Sequence, residues 1–350
     1  MKSFIMALLI SVMVPSLNGQ SAIFLHHSTG EGVYVEGGVA AWMSNYNSAN
    51  GTSYSVTERP YPDTPYPWEN YPYDYWNLWI NGQCNITNPN IQCLNTILQS
   101  YDMVIFKHCF PGAGISADNG APSVSSPIKT LANYKLQYRA LRNLMDQYPG
   151  KKFIVWTLAP LHRLETTPEE ASRAREFVNW VKSSWLTEDG KAHPNIYIFD
   201  FYSLVAESHP TPVNGLVNCL KYDYEKSHTI VDSHPNTLAN TTVGPLFAQF
   251  IVNTFKEQAT GITGPGEDQS GFILYPNPAK DHITLEFPDI TGPDMMLSVD
   301  LLNLNGQVVF SKKFNNEGTL NIDAGTFPKG IYLIRVNNGK QVFSDRGTLN

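Results

Sequence analysis

The sequence predicts an α/β domain with a mostly parallel β-sheet covered by helices on both faces, followed by a small all-β sandwich. Two observations carry this. The first is that short apolar runs alternate with helix-patterned segments from residue 22 to residue 255. Such alternation implies parallel strands joined by crossover helices. The second is a change of style after Ala259-Thr-Gly-Ile-Thr-Gly-Pro-Gly-Glu-Asp-Gln-Ser270, a linker by composition. Beyond it, short alternating runs are punctuated by turns such as Asn305-Gly306 and Asn338-Gly339.

Taken in order, Met1 to Gln20 has the form of a signal peptide. Lys2 supplies the charged start, and the apolar run from Phe4 to Val14 is shorter than the ~20 residues a membrane span needs. Ala22 to Leu25 reads as a short buried strand. It gives way at once to a polar turn with Ser28 and Gly30, then to Gly32, Gly37 and Gly38 and a helical segment from Val39 to Tyr46. Ser53 to Thr57 alternates and forms a second strand. From Glu58 to Trp79, five prolines interleave with Tyr61, Tyr66, Trp68, Tyr71, Tyr73, Tyr75, Trp76 and Trp79. That density predicts a long rigid loop without regular structure. Its rings could form a sugar-stacking platform, with Trp68 and Trp76 as substrate-contacting candidates, or a flap packed over the core.

Asp102 to Phe106 is a continuous apolar run of the kind buried in parallel sheets, and it ends in Lys107-His-Cys-Phe-Pro-Gly112. Helix-spaced apolar residues come next, over about 127–148, then a strand over Lys152–Leu158 stopped by Pro160. A helix opens at Pro168 with acids in its first turn, a fifth strand covers Asn195–Asp200, and a last helix covers Thr237–Phe255. The expected organisation is therefore a signal peptide (1–20), the α/β domain (21–258), a linker (259–270) and the sandwich (271–350).

The net charge of -7, with no basic stripe to neutralise phosphates, argues against a nucleic-acid partner. The export signal permits disulfides. Cys84 and Cys93 flank a Pro/Asn-rich loop and are expected to bridge; Cys109 and Cys219 are left to pair or to remain buried thiols. His26 and His27 are adjacent and project differently, so they do not make a metal site, and no cofactor is implied.

The candidate chemistry lies at two points. A hydroxyl at the carboxyl end of the first strand stands where ligands bind in open α/β sheets. Ser28 is thus either a nucleophile or a helix cap. A serine needs a base, and the candidate is His234 in Val231-Asp-Ser-His-Pro-Asn236, with Asp232 placed to orient it. The alternative is that Asp232, Ser233 and Asn236 serve the turn and the cap. Cys109 beside His108 is better read as a buried cysteine than as a second nucleophile.

Phe24-Leu-His-His-Ser-Thr-Gly-Glu-Gly-Val33 resembles the first block of SGNH/GDSL hydrolases, and Asp232-Ser-His-Pro-Asn236 resembles their last block, ahead of the final helix. The resemblance spans about residues 21–258. It implies a flavodoxin-like three-layer fold, with Ser28 as nucleophile, His234 as base and Asp232 as its partner. His26-His27 stand where the family has Gly-Asp, and Asp232 is two rather than three residues before His234. Lys107-His-Cys replaces the block that carries the family's oxyanion asparagine, so Lys107, His108 or backbone amides near Ser28 are the substitute donors. After the linker, Leu274-Tyr-Pro-Asn-Pro-Ala-Lys-Asp281, Leu302-Asn-Leu-Asn-Gly-Gln307 and Gly330-Ile-Tyr-Leu-Ile-Arg-Val336 resemble the type A sorting domain of the type IX secretion system of Bacteroidetes. That resemblance implies contact with the secretion machinery and release or attachment at the cell surface. The expected function is a secreted serine esterase that deacylates, above all deacetylates, a polysaccharide or oligosaccharide. The alternative is a glycan-binding protein on the same scaffold that has lost catalysis.

Overall fold

The computed structural model describes residues 19–257 except 68 and 87, and residues 272–349 except 288–295, 304–306, 316–317 and 339–341. The signal segment before residue 19, the linker and Trp68 lie outside the described residues. Five strands make one parallel sheet: β1 (Ser21–His26), β2 (Ser55–Pro60), β3 (Met103–Phe106), β4 (Lys152–Trp156) and β5 (Ile196–Phe199). Their order is β2-β1-β3-β4-β5. The chain leaves β1 to one side for β2 and returns to its other side for β3, so the topological switch lies between β1 and β3. In such sheets the crevice at that switch, outside the strand carboxyl ends, is where ligands bind. Pro60 is accommodated because β2 is an edge strand, where a missing N–H leaves no ladder bond unmade.

Each strand's alternation divides its side chains between two cores. Ile23, Leu25, Val104, Phe106, Phe153 and Val155 face one. They meet α3 (Pro72–Trp79), α4 (Leu94–Ser100), α5 (Leu131–Met145) and α6 (Pro168–Ser183). Ala22, Phe24, Met103, Ile105, Ile154 and Trp156 face the other. They meet α1 (Thr29–Val35), α2 (Val39–Asn50), α7 (Phe201–Val205) and α8 (Thr237–Lys256). Trp156 stacks on Phe24 at 5.2 Å between centroids and meets Phe247 of α8 edge-on at 4.6 Å. Each such fully buried aromatic contributes about 2–3 kcal/mol of apolar transfer.

Two glycines set how closely α8 lies on the α1–α2 corner. A Cβ at Gly244 would stand 2.3 Å from the Gly37 carbonyl oxygen and 2.5 Å from its Cα. A Cβ at Gly37 would stand 2.6 Å from the Asn240 carbonyl oxygen. The two segments touch backbone to backbone, which only glycine allows. This is the structural use of Gly37, one of the glycines that come after the first strand.

The proline- and tyrosine-rich stretch departs from expectation. Its second half, Pro72–Trp79, is the helix α3. Pro72 is the first helical residue, where its missing N–H costs nothing and its fixed φ favours the helix. Asp74 binds the preceding turn: its carboxylate accepts from the backbone N–H groups of Glu69 at 3.1 Å, Asn70 at 2.7 Å and Tyr71 at 3.3 Å. Tyr71, Tyr75, Trp76 and Trp79 are buried, so most of the described rings pack on the core as a flap. Cys84 and Cys93 are bridged, and Cys109 and Cys219 are both buried free thiols.

The C-terminal region is a sandwich of two antiparallel sheets. One holds β6 (Ile273–Tyr275), β7 (His282–Glu286) and β10 (Thr319–Asp323), in the order β10-β7-β6. The other holds β8 (Met296–Leu302), β9 (Val308–Asn315), β11 (Gly330–Asn337) and β12 (Val342–Leu349), in the order β12-β11-β8-β9. Leu297, Val299 and Leu301 alternate inward from β8, as do Tyr332, Ile334 and Val336 from β11. Among the described residues no helix is long and apolar enough to cross a membrane.

Candidate functional site

The carboxyl ends of β1 and β3 deliver two polar turns to the switch crevice. After β1 the chain turns through His27 and Ser28 into α1. Ser28 occupies the N-cap position, yet its side chain makes no capping hydrogen bond. It is exposed, and its Oγ lies 3.8 Å from Cys109 Sγ. Cap service therefore does not account for this hydroxyl.

The loop before α8 brings His234 and Asp232 to the same place. Ser28, Glu31, Gly32, Glu36, Lys226, His234, Pro235 and Asn240 line one open cleft of about 320 Å³. Asp232 Oδ1 accepts from the His234 backbone N–H at 2.9 Å and stands 2.5 Å from His234 Nδ1. A carboxylate two residues earlier can thus orient the imidazole, because the loop folds into a turn closed by that same oxygen. Burial pushes the Asp232 carboxyl up, but the hydrogen bonds from the His234 backbone and ring outweigh it and hold the pKa below the usual range. With Nδ1 on Asp232, Nε2 is the nitrogen left for the cleft. Phe110 meets the ring edge-on at 4.8 Å and limits its rotation. Among the described residues no hydrogen bond joins His234 to Ser28. Such contacts often tighten only when substrate is bound.

The loop is itself anchored. Ser233 Oγ accepts from the His162 backbone N–H at 2.7 Å and bonds the Glu165 carboxylate. Asn236 caps α8 through Ala239 N–H and donates to the carbonyls of Asp223 at 2.8 Å and Glu225 at 3.0 Å. Buried Glu225 ties in Arg163 at 3.1 Å and His162 at 3.3 Å. The sequence offered Asn236 as a cap, which it is; the rest of this support it missed, because its members are scattered over some seventy residues.

The remaining candidates take different positions. Lys107 is fully buried, with Nζ 3.2 Å from Cys109 Sγ and 3.3 Å from the His27 carbonyl oxygen. His108 is turned away from the cleft into the core, where Nε2 meets Tyr138 Oη at 2.7 Å, so it is not positioned as an oxyanion donor. Alternation explains the difference: side chains of successive residues leaving β3 point to opposite faces. Trp76 is 8% exposed and packs against Tyr73 in the aromatic flap, outside the cleft lining. His26 and His27 make separate contacts, with Glu58 Oε2 at 2.5 Å and the Pro62 carbonyl at 2.6 Å. Among the described residues no group of three or more His, Cys, Asp or Glu converges as a metal site would. A second depression of about 310 Å³ beside α2 and β2, lined by residues such as Met43, Ser44, Asn47 and Val56, carries no nucleophile–base pair.

Residues 273–347 match the family model described as "Secretion system C-terminal sorting domain". The sandwich is thus the sorting domain of a type IX secretion substrate, and the protein is exported, to be released or held at the cell surface. No curated protein matches the chain. Among solved structures, a DUF3244 family protein with an immunoglobulin-like β-sandwich from Bacteroides vulgatus is similar to 24% of this chain over 89% of its own, at 16% identity and a TM-score of 0.20. Dimeric latent PorU from Porphyromonas gingivalis is similar over 25% of this chain and 10% of its own, at 21% identity and a TM-score of 0.20. A gut microbial diltiazem-metabolizing enzyme is similar over 89% of this chain and 73% of its own, at 10% identity and a TM-score of 0.34. Similarities at this level carry no statement about activity.

Proposed function

We propose that the α/β domain is a serine esterase of the SGNH type, acting on acyl esters of a carbohydrate. The observation that supports this best is an exposed serine at the switch of the sheet, free of capping duty, in one cleft with an Asp-oriented histidine. Ser28 Oγ attacks the ester carbonyl while His234 Nε2 takes its proton. The tetrahedral adduct then expels the alcohol, which receives that proton from His234, and leaves an acyl-enzyme. Water, deprotonated in turn by His234, attacks the acyl carbonyl and releases the acid and Ser28. Asp232 stays ionised, keeps the proton on Nδ1 and stabilises the imidazolium. Glu31, Glu36 and Lys226 along the cleft are polar groups suited to the hydroxyls of a sugar.

The test is hydrolysis of p-nitrophenyl acetate and of acetylated xylan by the purified protein, together with fluorophosphonate labelling of Ser28. Ser28→Ala and His234→Ala should each lower turnover roughly 10⁴-fold or more. A wild-type protein that neither hydrolyses nor labels, yet binds the polysaccharide, would establish the non-catalytic reading instead.

A further inference from the structure

Beneath Ser28 lies a pair that the Ser28–His234–Asp232 assignment does not use. Lys107 is fully buried, and among the described residues it forms no ion pair with a carboxylate. Its Nζ donates to the His27 carbonyl at 3.3 Å and into Cys109 Sγ at 3.2 Å. The same sulfur stands 3.8 Å from Ser28 Oγ. The fold makes room for this arrangement. A Cβ at Gly30 would lie 2.8 Å from Lys107 Cδ and 2.5 Å from His26 Cβ, so the turn after Ser28 must be bare for the lysine stem to pass. Cys109 is fixed from behind: its backbone N–H donates to the Asn70 carbonyl at 2.8 Å, and Tyr75 Oη donates to the Lys107 carbonyl at 3.0 Å.

The imidazoles nearby are not alternatives. Burial first, and the Lys107 ammonium second, hold His26 and His108 down at about 3. His27 is held at about 4, chiefly by burial. Each is neutral at physiological pH and engaged elsewhere. Burial lowers the Lys107 pKa, and its contact with Cys109 acts against that shift; Cys109 is therefore the side chain that touches both the Lys107 nitrogen and the candidate nucleophile.

We propose that Cys109, buried against Ser28 beneath the residues that line the cleft, is a catalytic residue: its S–H donates to the oxyanion formed when Ser28 attacks, and Lys107 is the positioning residue that holds and polarises it. The inference rests on the reading of Ser28 as a nucleophile. With Lys107 N–H given into a sulfur lone pair, the thiol proton is left to point toward Ser28. A thiol is a weak donor to a neutral oxygen. A Lys107 N–H given into its sulfur strengthens the donation along the chain N–H to S–H to oxygen. The acceptor gains full charge only in the tetrahedral state, two bonds from Oγ, on the former carbonyl oxygen. The contact is therefore stronger there than in the ground state, which is what accelerates a reaction. No bond to sulfur forms or breaks, and no proton leaves it.

The experiment compares Cys109→Ala, Cys109→Ser and Lys107→Met in the full chain, with kcat and KM for p-nitrophenyl acetate and a melting temperature for each. Cys109→Ala should lower kcat roughly 10–100-fold, with KM within about twofold. Cys109→Ser, which restores a donor, should recover most of that loss. Lys107→Met should lower kcat in the parent but add little to Cys109→Ala, since the lysine acts through the sulfur. If Lys107→Met does not fold, the two Cys109 variants decide. A Cys109→Ala variant that melts and turns over like wild type while Ser28 still labels would overturn this inference alone. Cys109→Ser as damaged as Cys109→Ala would also overturn it, because a restored donor would then not restore the rate. A wild type without hydrolysis or labelling would overturn both this inference and the esterase reading.

Discussion

Gly244→Ala separates backbone docking from simple helix propensity, because the two predict opposite signs. Gly244 is buried inside α8, and on propensity alone an alanine there stabilises the helix by about 0.5–1 kcal/mol. Packing opposes this. The new Cβ would fall 2.3 Å from the Gly37 carbonyl oxygen, where ordinary contact begins at 3.4 Å. The obstructing atoms are backbone, so relief requires α8 and the α1–α2 corner to part by about 1.1 Å at this point. Overpacking of this kind costs about 1–3 kcal/mol. Net of the propensity gain, the variant should lose about 1–2 kcal/mol, which for a domain of this size lowers the melting temperature by about 2–8 °C. The shift is transmitted to the cleft: the His234 loop runs directly into α8, and Ser28 precedes α1. If Ser28 and His234 are the proposed nucleophile and base, a misplacement near 1 Å between them should lower kcat/KM on the order of 10²-fold. Calorimetry and p-nitrophenyl acetate hydrolysis, with exposed Thr241→Ala as the control, check both arms. A Gly244→Ala protein that melts higher than wild type would refute the docking argument.

The same geometry leads to three further expected outcomes. Burial raises the Asp74 carboxyl to about 6 against the hydrogen bonds from Tyr71, Glu69 and Asn70. The native state therefore holds a proton that the unfolded chain releases, and the stability this confers is complete below pH ~4 and lost as pH rises through ~6. Relative to Asp74→Asn, the wild type should lose about 2 kcal/mol of unfolding free energy between pH 4 and 7 in urea titrations, and a pH-independent difference would contradict the assignment. Removing the Cys84–Cys93 bridge by double serine substitution should cost ~2–3 kcal/mol, read as a lower urea midpoint with an unchanged slope. Asp232→Asn should lower kcat by roughly 10²–10⁴ while leaving the melting temperature within a few degrees, and full activity would remove Asp232 from the proposed mechanism.

The sheet was legible because its signals are local. β3 to β5 are continuous apolar runs between helical patterns, and the Asn-Gly turns mark the sandwich. The disulfide was legible because a short loop separates its halves. Helix α3 was not: prolines read as breakers, although Pro72 at a first helical position favours the helix it opens. The cleft was legible at its ends, Ser28 and the Asp232-Ser-His234 loop, since each carries chemistry-bearing residues at the edge of an element. Its supports were not. Gly37 against Gly244, and Glu225 under Arg163 and His162, are contacts whose members no periodicity links. Lys107 and His108 are neighbours in sequence, and only their directions on leaving β3 tell that one reaches beneath Ser28 and the other enters the core.

The free thiol at Cys109 imposes an order of events on the exported chain. Cys93 lies nine residues from Cys84 and sixteen from Cys109. In an unstructured chain, closing the shorter loop is favoured over the longer by only about 0.5 kcal/mol, roughly a twofold preference. Chain statistics alone would therefore send a sizeable share of molecules into a Cys93–Cys109 bridge. What separates the two outcomes is enclosure of Cys109, whose amide is held by Asn70 and whose sulfur is covered beside Lys107. Correct oxidation thus depends on β3 and the Tyr71 flap assembling before the bridge is made. Any change that slows their assembly would surface first as a wrongly cross-linked product, even where the finished fold tolerates it.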